Sequence, residues 1–178
     1  MYQSLHTTVI GPEGKPVELF VEPVQMKDAY RVPFIWEQRI EGVDFRAMRA
    51  YADKLPRDYF HASIRSSDVD HLLGSPEPIM AFDLETMALD DLPMRVRYQR
   101  RVTHPGRLDG FVLYFSVIFD DDIRFDTAPG SPETHWGTTL LRTEACVVNE
   151  GDTIRLDLTI DDVTEITTWR WTSGVARA

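Results

Sequence analysis

The chain of 178 residues has little of several features that would assign it to a class. It contains one cysteine, Cys146, so it can form no internal disulfide, which fits a reducing compartment. No run approaches the roughly 18 apolar residues that cross a bilayer, and no signal-peptide pattern opens the sequence. We therefore expect a cytoplasmic protein with no membrane partner.

Basic residues are also scarce, since 19 lysines and arginines stand against 29 aspartates and glutamates, for a net charge of −10. Proteins that bind a nucleic-acid backbone place lysine and arginine on one face, so we expect no nucleic-acid partner. An acidic surface attracts basic polypeptides, which makes a basic protein a possible partner. The length and the hydrophobic share of 43% predict one domain with a sizeable core.

The motifs of common catalytic sites are missing as well. The sequence has no GxGxxG or GxxxxGK[ST] turn for a nucleotide and no GxSxG elbow for a serine nucleophile. Its five histidines show no metal-ligand spacing, so we predict no metal site. Residues 120–122, three aspartates, predict a solvated turn because a calcium loop spaces its ligands. We expect no bound cofactor and no independent activity.

The first half of the chain combines a strand with helix signals. Residues 17–24 predict a strand that closes at a proline. Residues 30–40 are rich in large apolar side chains, a composition typical of surfaces that meet a partner. Apolar residues then follow Asp44 at spacings of three and four up to Pro56, which predicts a helix capped by Asp44. Residues 67–74 predict a second, shorter helix.

The second half alternates apolar and polar residues with a period of two, which predicts strands. The alternation is cleanest at residues 154–160, which predict a strand with one buried face. Many short strands with frequent turns predict a mostly-β barrel or sandwich, with helical insertions confined to the first half. The other predicted strands are at residues 79–84, 94–98, 111–119 and 123–125, with a closing strand around Trp169 and Trp171.

A loop rich in proline and glycine, residues 127–136, follows one of these strands and ends in Thr134-His135-Trp136. Loops held by rigid strands often display binding groups. We expect His135 at the rim and Trp136 packed, so that truncating Trp136 would cost about 3–5 kcal/mol. The alternative is a surface loop whose histidine caps a turn and whose tryptophan fills the core.

Residues 17–178 resemble the C-terminal β-barrel region of protein arginine N-methyltransferases. The most specific element is the Pro-x-x-Pro-x-Thr-His-Trp loop at residues 129–136. Residues 22–24 look like the end of the family's first barrel strand, and residues 36–45 are similar to its dimerisation arm. Two departures are that residues 41–44 lack the arm's tyrosine and phenylalanine, and that Gly137 and Thr138 replace a common Lys-Gln.

This resemblance implies a mostly-β, barrel-like domain at residues 19–178, with a helical dimerisation arm at about residues 28–62 inserted after the first strand. It implies a homodimer formed through Phe34, Ile35 and Trp36. It also implies a substrate-pocket loop of Thr134, His135 and Trp136. Since another domain binds S-adenosylmethionine in that family, we expect this cofactor only where a methyltransferase catalytic domain is supplied as partner.

Residues 2–12 resemble a motif of RelA/SpoT (p)ppGpp synthetases, in which a tyrosine stacks on guanine and a later glutamate serves catalysis. We therefore expect residues 1–18 to form a distinct N-terminal segment, with Glu18 at the spacing of that glutamate. Phosphate and magnesium ligands do not precede Tyr2, so we expect no phosphoryl transfer. Two alternatives stay open: a remnant of such a synthetase, and a non-catalytic dimerising interaction module.

Overall fold

The structure, a computed structural model, describes residues 17–83, 86–88, 91–119 and 123–178. Within these residues the chain forms twelve strands, and every pairing between them is antiparallel. They are β1 (Val17–Met26), β2 (Arg39–Ile40), β3 (Val43–Asp44), β4 (His61–Ile64), β5 (Val69–Leu72), β6 (Met80–Phe82), β7 (Arg95–Arg101), β8 (Gly106–Ile118), β9 (Arg124–Asp126), β10 (Thr138–Val148), β11 (Thr153–Thr159) and β12 (Arg170–Ala176).

Two sheets enclose the main core. The larger has the order β4-β10-β8-β1-β5, with β6 also paired to β1 and β9 to β8, and the smaller has the order β12-β11-β7. Phe111 and Leu141 of the larger sheet and Ile154 and Leu158 of the smaller sheet belong to one cluster of fully buried side chains. The predicted mostly-β, barrel-like fold is confirmed.

The helical content of the described residues is 3₁₀ rather than α. The helix predicted after Asp44 is a 3₁₀ helix, Arg46–Lys54, and its N-cap is Phe45, although the Asp44 carboxylate accepts the Arg46 N–H at 2.9 Å. None of these helices is long and apolar enough to cross a membrane. The other 3₁₀ segments are Asp28–Tyr30, Ile35–Glu37, Arg57–Phe60, Ser66–Asp68 and Ile166–Thr168.

Three sequence-based boundaries are wrong, each because strand pairing overrides a local signal. Of residues 67–74, predicted helical, the first two end a 3₁₀ helix and the next four are β5, which pairs with the end of β1. β1 continues through Pro23 to Met26. The strand predicted to begin at residue 111 begins instead at Gly106, so Gly110 lies inside β8, where a Cβ would collide with the Leu141 carbonyl oxygen of β10. Glycine therefore permits the close approach of two strands there.

A buried ion pair joins the two sheets. Glu22 of β1 is fully buried, and its carboxylate accepts hydrogen bonds from Arg100 of β7 at 3.0 Å from both Nε and Nη2. The Glu77 N–H also donates to Glu22, while Arg100 Nη2 donates to the Glu77 carbonyl. Burial raises the pKa of Glu22 even though Arg100 opposes the shift. Arg100 therefore favours the ionised form of Glu22 against the effect of burial.

Candidate functional site

The arm is fixed to the barrel by a buried aromatic cluster. Phe34 stacks on Trp36 with ring centroids 4.6 Å apart, and both side chains are buried. The Tyr59 ring lies 5.8 Å from that of Phe34, and its hydroxyl accepts the Ile35 N–H at 3.0 Å. Ile35 is half-buried. The expectation that these aromatic residues form an exposed cluster is wrong, because they pack against their own chain.

Arg142 of β10 holds this cluster from the barrel side. Its guanidinium lies 4.3 Å from the centre of the Phe34 ring and 4.8 Å from that of Tyr59. Nε donates to the Val32 carbonyl at 3.0 Å and Nη1 to the Tyr59 carbonyl. Burial lowers the pKa of Arg142. Sequence reasoning missed both this strand and Arg142, although an arginine directly after Leu140-Leu141 was a signal of a buried cation.

An irregularity in β10 provides the remaining attachment points. Pairing with β8 shifts register between Arg142 and Cys146. Within that stretch the Glu144 carboxylate accepts Trp36 Nε1–H at 3.1 Å, and the Ala145 N–H donates to Glu37 at 2.8 Å. A β-bulge thus presents polar groups that fix the orientation of the arm.

The outer side of the arm carries large apolar side chains that are exposed and belong to neither buried cluster. Ten large hydrophobic side chains are exposed in the described part of the chain, and six of them fall within residues 30–51. Ile40 and Val43 pair across the β2–β3 hairpin, while Met48 and Tyr51, three residues apart in a 3₁₀ helix, share one side of it. We call these six the arm surface: Tyr30, Val32, Ile40, Val43, Met48 and Tyr51.

The loop that ends in Thr134-His135-Trp136 is anchored by hydrogen bonds at both ends. Buried Thr127 exchanges hydrogen bonds with the backbone of Phe115 through its N–H and hydroxyl, each at 3.0 Å. The Ser67 hydroxyl donates to Glu133 at 2.6 Å. These bonds determine the path of the loop.

Trp136 is 55% exposed, so the expectation that it is packed is wrong. Its indole forms T-shaped contacts with the rings of Phe125 and Phe115, with centroids 5.0 and 6.1 Å away. Hydrogen bonds rather than indole burial fix the loop, so more than half of Trp136 remains exposed to solvent. His135 is also exposed, with its ring centroid 5.8 Å from that of Trp136.

Thr134, His135 and Trp136 line one cleft of about 540 Å³, whose other wall is residues 63–68. Two carboxylates, Asp68 and Glu133, and one guanidinium, Arg65, belong to its lining. No group of acidic, histidine and cysteine side chains suited to a metal occurs among the described residues. The cleft can therefore hold a polar or cationic side chain, but its lining contains no activated nucleophile.

A second cavity of about 260 Å³ lies between the sheets and is lined by apolar side chains such as Phe20, Val96 and Leu158. S-adenosylmethionine carries a charged sulfonium, an amino-acid end and a ribose, which need polar partners. The lining residues do not fit that cofactor, and we derive no methyl-transfer step from them.

Glu18, at the spacing of the (p)ppGpp synthetase glutamate, lies in β1. Its carboxylate accepts a hydrogen bond from Arg124 Nη2 at 3.0 Å and so forms an ion pair between β1 and β9. Residues 1–16, which carry the rest of that motif, lie outside the described residues, as do the aspartates at 120–122 and residue 84.

The barrel and its arm are similar to parts of known proteins. A family model described as the arginine methyltransferase oligomerization subdomain matches residues 16–167. Protein arginine N-methyltransferase 6 of Xenopus laevis is 27% identical over 185 residues, which cover 90% of this chain and 52% of that protein. Protein arginine methyltransferase 10 of Arabidopsis thaliana shares the fold, with a TM-score of 0.64 at 16% identity over 92% of this chain and 56% of its own.

The chain thus spans about half the length of these methyltransferases. A separate, local similarity links it to GTP pyrophosphokinase of Streptomyces coelicolor, 45% identical over 74 residues. That match covers 40% of this chain but 8% of the pyrophosphokinase.

Proposed function

Because this chain belongs to the arginine methyltransferase oligomerization subdomain family, we propose that it is the dimerising and substrate-side barrel of a protein arginine N-methyltransferase-like enzyme. In this proposal a methyltransferase catalytic domain binds S-adenosylmethionine, and this chain supplies the arm and the cleft. We place the start of the barrel domain at Val17, the first residue of β1, rather than at residue 19, and the arm at residues 28–62. The compartment we propose is the cytoplasm.

The arm surface is the observation that carries the proposal. Clustered exposed apolar side chains on a folded protein mark interaction sites. Arg142 and the aromatic residues beneath the arm hold it in one shape, so little conformational entropy is lost when a partner binds. We assign the dimer contact to the arm surface. Phe34 and Trp36 are buried beneath the arm surface, and Ile35 is half-buried between these two aromatic residues and the arm surface.

Val43→Glu combined with Met48→Glu is expected to shift the protein from dimer to monomer. Two carboxylates placed in an apolar interface would have to be desolvated, so the dimer dissociation constant should rise at least about tenfold, or 1.4 kcal/mol. Sedimentation velocity over a range of concentrations measures the shift. Val147→Glu is the matched control, because Val147 is 66% exposed on β10, outside the arm.

A wild-type protein that stays monomeric at high concentration would contradict dimerisation. A dimer that never associates with a methyltransferase domain would instead favour the non-catalytic interaction module.

The exposed face of Trp136 favours a second role, the binding of a cationic side chain. An arginine guanidinium can lie over an indole face, for about 0.5–1 kcal/mol at an exposed site. Glu133 and Asp68 line the same cleft and supply opposite charge. We therefore propose that Thr134, His135 and Trp136 bind an arginine of a basic protein substrate.

Trp136→Ala is expected to weaken the binding of a short arginine-containing peptide about two- to fivefold, because the cation–π contact is lost. Fluorescence anisotropy with labelled peptide measures the change. The same peptide with citrulline in place of arginine keeps the shape without the charge, so it should bind the wild type no better than arginine peptide binds Trp136→Ala. Equal wild-type affinity for both peptides would rule out cation recognition.

A further inference from the structure

The outward face of the three-stranded sheet concentrates arginine in a chain that is otherwise acidic. Arg95, Arg97, Gln99 and Arg101 alternate along β7 with the buried or half-buried residues Val96, Tyr98 and Arg100, so these four side chains share the solvent face. All four are exposed. Residues two apart in a strand are spaced by about 6.6–6.8 Å, so Arg95, Arg97 and Arg101 lie in one row, which neutral Gln99 interrupts.

The neighbouring strands extend this row into a surface. In the β7–β11 register Arg155 is opposite Gln99 and Asp157 is opposite Arg97. Thr172 and Gly174 of β12 are paired with Asp157 and Arg155, and because both are small they protrude little from the sheet. We call Arg95, Arg97, Gln99, Arg101, Arg155 and Asp157 the arginine face: it holds four arginines and one carboxylate.

One carboxylate of the chain, that of Asp157, already lies on this surface. Asp157 accepts hydrogen bonds from Arg95 Nε at 3.0 Å and Nη2 at 2.7 Å, and from Arg97 Nε at 2.8 Å. This is the forked geometry in which arginine recognises a carboxylate. Neither Arg101 nor Arg155, at the other end, forms an ion pair or side-chain hydrogen bond with any residue that the structure describes.

We propose that the arginine face binds an extended acidic segment of a partner protein, with carboxylates at every second residue. An extended peptide repeats its side chains on one side at about the same 6.6–6.8 Å spacing as β7, so its carboxylates can lie opposite Arg95, Arg97 and Arg101. Arg101 and Arg155 provide the unpaired charge, and the small β12 residues leave room for a backbone. This site is separate from the arm surface and the cleft, and does not depend on the proposed function.

The same surface is poorly suited to single-stranded nucleic acid. Proteins that bind such strands stack bases on exposed aromatic rings. The aromatic residue of β7, Tyr98, packs instead against the core beside Phe111, with ring centroids 6.1 Å apart and Arg100 on its ring. None of the outward residues of β7, β11 and β12 is aromatic. Charge complementarity without stacking therefore favours a polypeptide.

Two labelled eight-residue peptides of identical composition test the proposal by fluorescence anisotropy near 0.15 M salt. One alternates glutamate and serine, and the other has four glutamates followed by four serines. We expect the alternating peptide to bind several-fold more tightly. Arg101→Gln combined with Arg155→Gln should weaken it about fivefold, the effect of two exposed ion pairs. Lys27→Gln combined with Lys54→Gln, which removes equal charge from other exposed positions, should change little.

Equal affinity for the two peptides, or equal weakening by both variant pairs, would mean that binding depends on net charge alone, and it would overturn the proposal. Tighter binding of an eight-nucleotide single strand than of the alternating peptide would make the ligand a nucleic acid. If Arg101→Gln with Arg155→Gln changed the sedimentation of the protein alone, the occupant would be a second copy of this chain. Thermal melts of both variant pairs confirm that each is folded before binding is measured.

Discussion

Replacing Arg100 with methionine is expected to lower the free energy of unfolding by about 3–5 kcal/mol, the usual cost of removing one partner of a buried ion pair. Glu22 would keep its position with no exposed surface and lose the guanidinium that donates to both of its oxygens. The Glu77 N–H would remain as its hydrogen-bond donor. Chemical denaturation at neutral pH measures the loss.

The loss of unfolding free energy in Arg100→Met, which we call the Arg100→Met deficit, should depend on pH in a defined direction. Burial raises the pKa of Glu22 above the ordinary value for a glutamate, and removal of Arg100 should raise it further. Between the unfolded and folded pKa values the folded protein binds a proton that the unfolded chain does not, so stability falls as pH rises through that interval. The Arg100→Met deficit should therefore shrink as the pH is lowered from neutral towards 5.

Two variants separate this ion pair from general effects of charge loss. Arg97→Met removes an exposed arginine from the same strand and should cost no more than about 1 kcal/mol. Glu22→Leu combined with Arg100→Met should recover much of the lost stability, because apolar residues can replace a buried pair as a unit. A cost below 1 kcal/mol for Arg100→Met alone would mean that water or another cation reaches Glu22.

The sequence predicted strands best where one face of a strand is buried and the other solvated. Residues 154–160 alternate without interruption, and β11 occupies Thr153–Thr159. β10 escaped prediction because Leu140 and Leu141 are adjacent and the register shift between Arg142 and Cys146 breaks the alternation. The helix after Asp44 was predicted from spacings of three and four, which do not distinguish an α-helix from the 3₁₀ helix that forms.

The candidate site was predictable in part, because it combines a local motif with distant contacts. Thr134, His135 and Trp136 are adjacent in sequence and line one cleft. The environment of Trp36, in contrast, depends on Glu144, which is 108 residues away. Periodicity carries no information about a partner at that distance, so the two tryptophans could not be assigned correctly to core and surface. The arginine face also required the β7–β11 register, since Arg155 is 54 residues or more from the β7 arginines.

Trp36→Ala and Trp136→Ala are expected to differ strongly in their effect on stability. Trp36 is 5% exposed, stacks on Phe34 and donates to Glu144, so its truncation should cost about 3–5 kcal/mol. Trp136 is 55% exposed and makes T-shaped contacts with Phe125 and Phe115, so its loss should cost about 1 kcal/mol. Thermal and urea denaturation of both variants measure the two costs.

The two tryptophan variants also distinguish effects on the fold from effects on peptide binding. Trp36→Ala should weaken dimerisation only by loosening the arm, so its effect on sedimentation should accompany a fall in melting temperature. Trp136→Ala should weaken peptide binding about two- to fivefold while the melting temperature falls much less than in Trp36→Ala. His135→Ala should leave folding within about 0.5 kcal/mol of the wild type, as exposed substitutions do. If Trp136→Ala instead destabilised the fold as much as Trp36→Ala, the indole would be part of the core and the cleft would lose its cation-binding wall.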